Sequence, residues 1–288
     1  MPQVADGDLL GYKFSPGQEL RYLVRTSFSS RALGDDATAL SVEHEAELTQ
    51  RVLEVFPDGV ARISVVIDRL SVAISAPGQE SVAYDSAHDE DLSRCPLEMR
   101  GIVFLVGKKI EVEQAPSGEI LSISGLASIY RQALRELSLK EQQPLERLLR
   151  EMSHKPRSLL GLGVSFPRHA VQIGEQWSAD RGPFPILCGQ LIYPCNYTLK
   201  EVSDGQPIIE FGGELGETER PTSLRLKPLR TRKVEGVLSF DLEKGTLTRM
   251  RGESSSFLHF GGKKELRRRA TWELVYQSER GSEADTKI

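Results

Sequence analysis

The sequence predicts a mainly β protein of the α+β class. We expect a strongly curved antiparallel sheet or open barrel, built from two related halves, with a central helical insert packing on its apolar face. Apolar and polar residues alternate through most of the chain, and short glycine-containing turns separate these runs. Near the middle, the apolar spacing becomes that of a helix. The 288 residues are 39% hydrophobic, enough to bury a core, and we assign residues 1–288 to one domain.

The first half, residues 10–125, contains the clearest strands. Apolar residues alternate from Leu20 to Phe28, and again from Ser41 to Val52, where the intervening positions are largely acidic. After the turn at Pro57-Asp58-Gly59, the run from Val60 to Ile74 alternates in the same way. Each run is typical of a strand with one face in a core and the other in water.

The helical insert is predicted at residues 126–153. Its first part has apolar residues at helical spacing, which are Leu126, Ile129, Tyr130, Ala133, Leu134 and Leu137. Leu145, Leu148, Leu149 and Met152 repeat the spacing. Pro144 lies within the insert, so we expect either two helices or a helix that begins near it.

The second half, residues 165–277, ends in three further predicted strands. Residues 234–242 and 246–251 flank a turn at Lys244-Gly245, and the last strand covers residues 266–276. Arg268 interrupts the apolar face of that last strand, and we expect its guanidinium to extend to the rim of the sheet. Residues 278–288 form a polar tail that we expect to fray.

The two halves share a faint internal repeat. The strand opener at residues 14–20 resembles residues 171–177, and the turn at residues 53–59 resembles residues 200–205. Ser117-Gly118 corresponds to Lys244-Gly245 in the same order. The order of these segments predicts that the halves are related.

Three stretches together, FSPGQELRYLV, DGVARISVVIDRL and LSFDLEKGTLTRMRGE, resemble an uncharacterised family of β-rich proteins from bacterial cell envelopes. The resemblance implies a β-rich fold and an envelope location, and it supplies no catalytic residues. Members carry an export leader or lipoprotein signal, from which this N-terminus departs. More distantly, the expected architecture is similar to the half-barrels of lipoprotein-carrier proteins, whose concave face holds acyl chains.

The N-terminus and the cysteines each allow two interpretations. The N-terminus has neither a positive region nor an apolar region of the signal-peptide type, which leaves both the periplasm or envelope and the cytoplasm open. Cys188 and Cys195 would either form a disulfide across a hairpin or remain two buried thiols, and Cys95 is unpaired in both cases.

No motif predicts an enzyme, a cofactor or a metal site. The stretch Gly163 to Pro167 lacks the final glycine of a nucleophile elbow. The acidic stretch Tyr84 to Arg94 has no metal-binding spacing and is expected to be a solvated loop. His44 falls on the apolar face of its strand, which is typical of a hydrogen-bonded core histidine.

Charge and hydropathy exclude two classes of partner. The net charge is −4, and the arginines of the second half lack interleaved aromatic residues, so we expect no nucleic-acid binding. We expect these arginines to pair with acidic strand faces such as Glu43, Glu45 and Glu47. The alternative is a basic face that meets anionic lipid heads or another acidic surface. No apolar run is long enough for a transmembrane helix.

The sequence therefore favours a non-catalytic binding module for an apolar or amphipathic ligand, such as a lipid, held between sheet and helices. The candidate lining residues are Leu126, Ile129, Tyr130, Leu134, Leu148, Trp177, Phe240 and Trp272. The alternative is a structural or protein-interaction domain of the bacterial envelope with a filled core and no ligand. The sequence does not indicate a protein partner.

Overall fold

A computed structural model describes residues 9–32, 38–89, 91–140, 142–143, 145–146, 164–179, 182, 194–214, 233–260 and 264–280. Within these residues the chain forms twelve β-strands, two α-helices of seven and eleven residues and one short 3-10 turn, and residues 139–140, 142–143 and 145–146 are helical as well. The strands of the first half are β1 (Glu19–Ala32), β2 (Thr38–Val55), β3 (Ala61–Ser75), β4 (Val82–Asp85), β5 (Ile110–Gln114) and β6 (Ile120–Ser124). Those of the second half are β7 (Gln176–Ala179), β8 (Cys195–Ser203), β9 (Gln206–Glu214), β10 (Lys233–Asp241), β11 (Thr246–Phe260) and β12 (Lys264–Arg280).

All twelve strands belong to one antiparallel sheet that is not closed. The order is β6-β5-β3-β2-β1-β12-β11-β10-β9-β8-β7, with β4 paired to β3 beyond the end of β5. The first and last strands therefore meet in the middle of the sheet, and β6 and β7 are its edges. This open antiparallel sheet with a helical insert confirms the predicted fold class.

The predicted halves occupy the two sides of the β1–β12 pair. The turns that we compared in the sequence join β2 to β3 and β8 to β9, and β5 to β6 and β10 to β11. Their relationship by repetition stays a prediction, as does the assignment of the whole chain to one domain. Strand β12 continues to Arg280, past the predicted start of the polar tail.

The alternating apolar residues form one continuous face. Val24, Ala46 and Leu70 lie side by side on β1, β2 and β3, and Leu274 on β12 pairs with Val24. All four are no more than 1% exposed. The apolar face of both halves contributes to a single hydrophobic cluster.

The sheet curves strongly at one end. The backbone N–H of Tyr12 donates to the carbonyl of Pro116 at 2.7 Å, and that of Lys13 donates to the carbonyl of Gly245 at 3.2 Å. These two acceptors lie in the β5–β6 and β10–β11 turns, which five strand spacings, about 24 Å, would separate in a flat sheet. Because two adjacent residues bind both turns, the sheet must curl there. We call this the closed end.

The helices contribute to the core from outside the sheet. Helix α2 (Leu126–Glu136) follows Gly125, which has a φ of 92°, and it buries Leu126, Ile129 and Ala133 in the hydrophobic cluster. Helix α1 (Leu97–Val103) was not predicted and buries Met99 and Val103. The 3-10 turn at Leu92–Arg94 lies in the stretch predicted as an acidic loop. Residues 147–153 of the predicted insert lie outside the described residues.

Candidate ligand-binding face

An aromatic row crosses the apolar face of the second half. Trp272 on β12, Phe211 on β9, Tyr197 on β8 and Trp177 on β7 follow one another at the same level of the sheet. Their successive ring centroids are 6.5, 6.3 and 5.4 Å apart. These separations are in the range of favourable aromatic contacts. The face is therefore lined by an almost continuous band of rings.

Two glycines make room for this row. Gly252 on β11 and Gly236 on β10 fill the two positions between Trp272 and Phe211. A Cβ on Gly252 would overlap the Trp272 ring, and a Cβ on Gly236 would overlap the Phe211 ring. The two rings can therefore lie flat over the sheet only because these positions have no side chain.

The same row continues into the first half with smaller and more polar side chains. Trp272 pairs with Thr26, Thr26 with His44, His44 with Val72, and Val72 with Tyr84. All five residues are at most 6% exposed. The row thus spans both halves of the sheet and changes from aromatic to mixed character at the β1–β12 pair.

His44 is a neutral core histidine at neutral pH. Its Nδ1 lies 3.0 Å from the hydroxyl of Thr26, as expected for a hydrogen-bonded core residue. Burial lowers the pKa of His44 to about 4, because the charged imidazolium would lose its hydration. Its Nε2 is buried and makes no hydrogen bond within the described residues.

Beyond His44, away from the closed end, the apolar face is partly open. Phe28, Val42 and Ile74 are half-buried there, whereas Leu40 and Val82 are 40% and 43% exposed. Strand pairing joins Phe28, Val42, Ile74 and Val82 across β1 to β4, and Leu40 lies two residues before Val42 on the same face of β2, opposite Ser30. We call these five residues the uncovered strip. A cluster of aliphatic and aromatic side chains that remains exposed is typical of a surface that binds something.

Arg268 lies at the margin of the uncovered strip. It shares the apolar face of β12 with Ala270 and Trp272, and it pairs with Ser30 on β1 and Ser256 on β11. Within the described residues, no carboxylate forms an ion pair with it. Although the side chain is exposed overall, neighbouring atoms remove water from part of it, and this desolvation lowers the pKa of Arg268.

Several arginines of the opposite, polar face form ion pairs instead. Arg249 contacts Glu273, Arg269 contacts Glu253, and Arg25 contacts Glu45 at 2.8 Å. The first two partners lie on the second half itself, rather than on the acidic strands of the first half as predicted. Mutual neutralisation explains these paired charges without an external partner.

A groove of about 830 Å³ crosses β1 to β4 and β12. Its lining includes Ser27, Glu43, Ala73, Ala83 and Thr271, which lie on the polar face. The residues of the apolar row at the same level are at most 6% exposed, so they offer the groove almost no surface. The groove therefore belongs to the polar side of the sheet.

Most charged groups of this groove already have partners. The pairs are Arg25 with Glu45, Arg94 with Asp89, Arg69 with Asp85, and Arg249 with Glu273. The guanidinium of Arg69 lowers the pKa of Asp85 to about 2, which keeps that carboxylate charged. The arrangement is a solvated ion-pair network rather than a site poised for a ligand.

The predicted lining residues are distributed over several places. Trp272 and Trp177 belong to the aromatic row. Phe240 is fully buried near the closed end, where its ring centroid lies 5.3 Å from that of Tyr12 and 4.9 Å from that of Phe166. Those rings fill the space between the turns.

The remaining predicted lining residues belong to the insert. Leu126 and Ile129 are buried, Tyr130 is half-buried and Leu134 is 48% exposed. Leu148 lies outside the described residues. None of the predicted residues belongs to the uncovered strip, so sequence reasoning missed the exposed part of the apolar face.

The described residues include only one of the two cysteines of the predicted disulfide. Cys195 begins β8 and is buried, and burial raises the pKa of its thiol to about 12. Cys188 lies outside the described residues, and the disulfide between them stays a prediction. Cys95 is also buried, and its thiol lies 3.6 Å from the backbone carbonyl of Pro96.

Neither a metal site nor a membrane-spanning helix is found within the described part of the chain. No three His, Cys, Asp or Glu side chains converge there as metal ligands. No helix in the same residues is both long and apolar enough to cross a bilayer.

A comparison with known protein families gives one match for this chain. The family of unknown function DUF6263 matches residues 58–245, which is well over half of the chain. The chain belongs to DUF6263. The match covers strands of both halves and the helices between them, and the family carries no established activity. No curated protein matches this DUF6263 chain.

A solved structure shares the fold. The structure described as "lipid-protein interactions in lipovitellin" is similar to this DUF6263 chain with a TM-score of 0.55 and 10% sequence identity. The likeness covers 96% of this chain and 26% of that chain, so this chain spans about a quarter of its neighbour's length. At this identity the likeness concerns the fold alone.

Proposed function

We propose that this DUF6263 protein is a non-catalytic binding module for an apolar or amphipathic ligand of the lipid class. The ligand would contact the apolar face of the sheet at its open end, where the helices and the closed end leave that face accessible. The observation that carries the proposal is the uncovered strip, because it is the exposed continuation of an otherwise buried apolar face.

The energetics favour an apolar occupant. Burying apolar surface contributes about 25 cal/mol for each Å² removed from water. Leu40 and Val82 leave much of their side chains in water, and Phe28, Val42 and Ile74 are only half-buried. A hydrocarbon chain placed over these residues would bury both its own surface and theirs.

The structural neighbour supports the same class of ligand. The lipovitellin structure concerns lipid–protein interactions, and its fold resembles almost the whole of this chain. A lipid-binding module of this kind also fits the envelope setting that the sequence resemblance implies. The proposed function nevertheless depends on the exposed apolar residues of this chain, because fold likeness does not transfer function.

A paired substitution tests the proposal. Hexadecanol, an uncharged single-chain amphiphile, would be titrated into the protein below its aggregation limit and followed by calorimetry. Leu40→Asp places a charge in the uncovered strip and should weaken hexadecanol binding at least tenfold, since the carboxylate loses hydration when the chain covers it. Leu121→Asp is the matched control, because Leu121 is similarly exposed at 48% but lies on edge strand β6. Equal binding by both variants and the parent protein would contradict the proposal.

A filled-core interaction domain is the second candidate. Leu238, Phe240 and Met250 are at most 1% exposed, and this close packing favours a core that needs no ligand. Absence of hexadecanol binding by the parent protein, together with no lipid retained after detergent-free purification, would favour this second function.

A further inference from the structure

We propose that the ligand is a single-chain amphiphile with an anionic headgroup, whose chain crosses the uncovered strip and whose headgroup binds Arg268. This inference rests on the proposed function and specifies its ligand. It depends on the position of one cation, on the absence of a carboxylate beside it among the described residues, and on the dimensions of the strip.

Arg268 is placed differently from its neighbours in the sequence. Arg269 points to the polar face and contacts Glu253, whereas Arg268 lies on the apolar face beside Ser30 and Ser256. The described residues provide it with hydroxyl groups but with no counter-charge. A guanidinium at the edge of an apolar surface is favourable when an anion arrives with the apolar ligand.

The chemistry of the guanidinium selects the headgroup. Its planar array of N–H donors matches the two oxygens of a carboxylate or the oxygens of a phosphate. Ser30 and Ser256 flank it on the two neighbouring strands, where their hydroxyls can donate further hydrogen bonds to an anion. A cationic headgroup would instead be repelled.

The dimensions of the strip favour one chain. From Val82 on β4 to Ala270 on β12, the pairing crosses four strand spacings, which is about 19 Å. Along the strands, the strip covers only two successive rows of paired residues on this face. These are the row that contains Phe28 and the row that contains Leu40, about 7 Å apart. A surface that is long across the strands and narrow along them suits one extended hydrocarbon chain, with its head at the β12 side.

Three amphiphiles of equal chain length test the inference. Hexadecanoate, hexadecanol and hexadecyltrimethylammonium would be titrated separately into the full chain by calorimetry at low salt. The parent protein should bind hexadecanoate about tenfold or more tightly than hexadecanol, and hexadecyltrimethylammonium most weakly. A charge-assisted hydrogen bond is worth about 1.5–3 kcal/mol, which corresponds to this range.

Matched variants locate the effect. Arg268→Met retains an apolar stem and should bind hexadecanoate about tenfold more weakly, with hexadecanol binding unchanged. Arg269→Met removes a cation from the adjacent position on the polar face and should leave both affinities unchanged.

The possible failures are distinguishable. If Arg268→Met binds hexadecanoate like the parent protein, or if the parent binds hexadecyltrimethylammonium as well as hexadecanoate, the headgroup assignment is overturned while hexadecanol binding still supports the proposed function. If the parent binds neither hexadecanol nor hexadecanoate, the proposed function fails and this inference fails with it. The preference within the parent protein applies even if a variant does not fold.

Discussion

The burial of His44 in the apolar face makes the stability of the protein depend on pH. Its imidazole is buried between Phe28, whose ring centroid lies 6.0 Å away, and the hydroxyl of Thr26. Burial lowers its pKa from the ordinary 6.5 to about 4. The folded protein therefore holds this residue neutral under conditions in which the unfolded chain takes up a proton.

The resulting loss of stability has a defined direction and window. Above pH 6.5, both states carry a neutral His44 and the residue contributes no pH dependence. As the pH falls from about 6.5 to about 4, proton uptake by the unfolded chain removes roughly 2–3 kcal/mol from the free energy of unfolding.

Urea denaturation at pH 7 and pH 4.5 should show this loss in the parent protein and a smaller loss in His44→Gln. The same pH dependence in both proteins would contradict the assignment of a buried neutral histidine. Asp85 does not obscure the result, because its lowered pKa of about 2 places its own loss below about pH 4.

Arg268 is a charged residue that interrupts the apolar face of β12. In the sequence it appears as an interruption of an apolar face. The residue is exposed, and the extension of its head to the rim stays a prediction. The strand pairing adds what the sequence could not supply, namely that serines lie on both sides of it.

At the scale of elements, alternation predicted the long strands well. In β1, β2 and β3 one face is buried and the other is in water, so the period of two is visible in the sequence. Strand β4 has four residues and α1 has seven, and such short elements contain too few periods to be recognised. Strand β8 does alternate, and that signal was available in Cys195, Tyr197 and Leu199.

The site was less predictable than the strands. Trp177 and Trp272 were predicted as lining residues and belong to the aromatic row, and their role in binding stays a prediction. Leu40 and Val82 look like ordinary core residues in the sequence. Whether an apolar residue on this face is covered depends on which distant segments cross it, and local periodicity carries no information about such contacts.

In the aromatic row, the ring of Trp272 on β12 lies over Gly252 on the adjacent strand β11. Adding one methyl group at Gly252 tests this arrangement. Gly252→Ala on β11 would press a Cβ against the Trp272 ring of β12, which should lower the free energy of unfolding by about 1–3 kcal/mol through overpacking. Gly212→Ala is the control, because its Cβ would lie 3.4 Å from the Val234 carbonyl and meet no ring. Chemical denaturation would compare the two variants. A Gly252→Ala protein as stable as Gly212→Ala would show that the ring does not lie over the glycine.

At the scale of the whole molecule, the open sheet has two dissimilar ends. At the closed end, Tyr12 and Lys13 bind turns from both halves, and the rings of Tyr12, Phe166 and Phe240 fill the space between those turns. At the other end, the same apolar face reaches solvent at Leu40 and Val82. A sheet that is sealed at one end and open at the other gives an amphipathic ligand a direction, with its chain on the apolar face and its head at the rim.

Intermolecular nuclear Overhauser effects between bound hexadecanol and methyl-labelled protein test this account most directly. We predict contacts from the hexadecanol chain to the methyl groups of Leu40, Val42, Ile74 and Val82. Contacts confined to exposed methyl groups elsewhere, such as those of Leu121, Leu139 or Ile173, would contradict the claim that the open end of the apolar face is the ligand-binding surface.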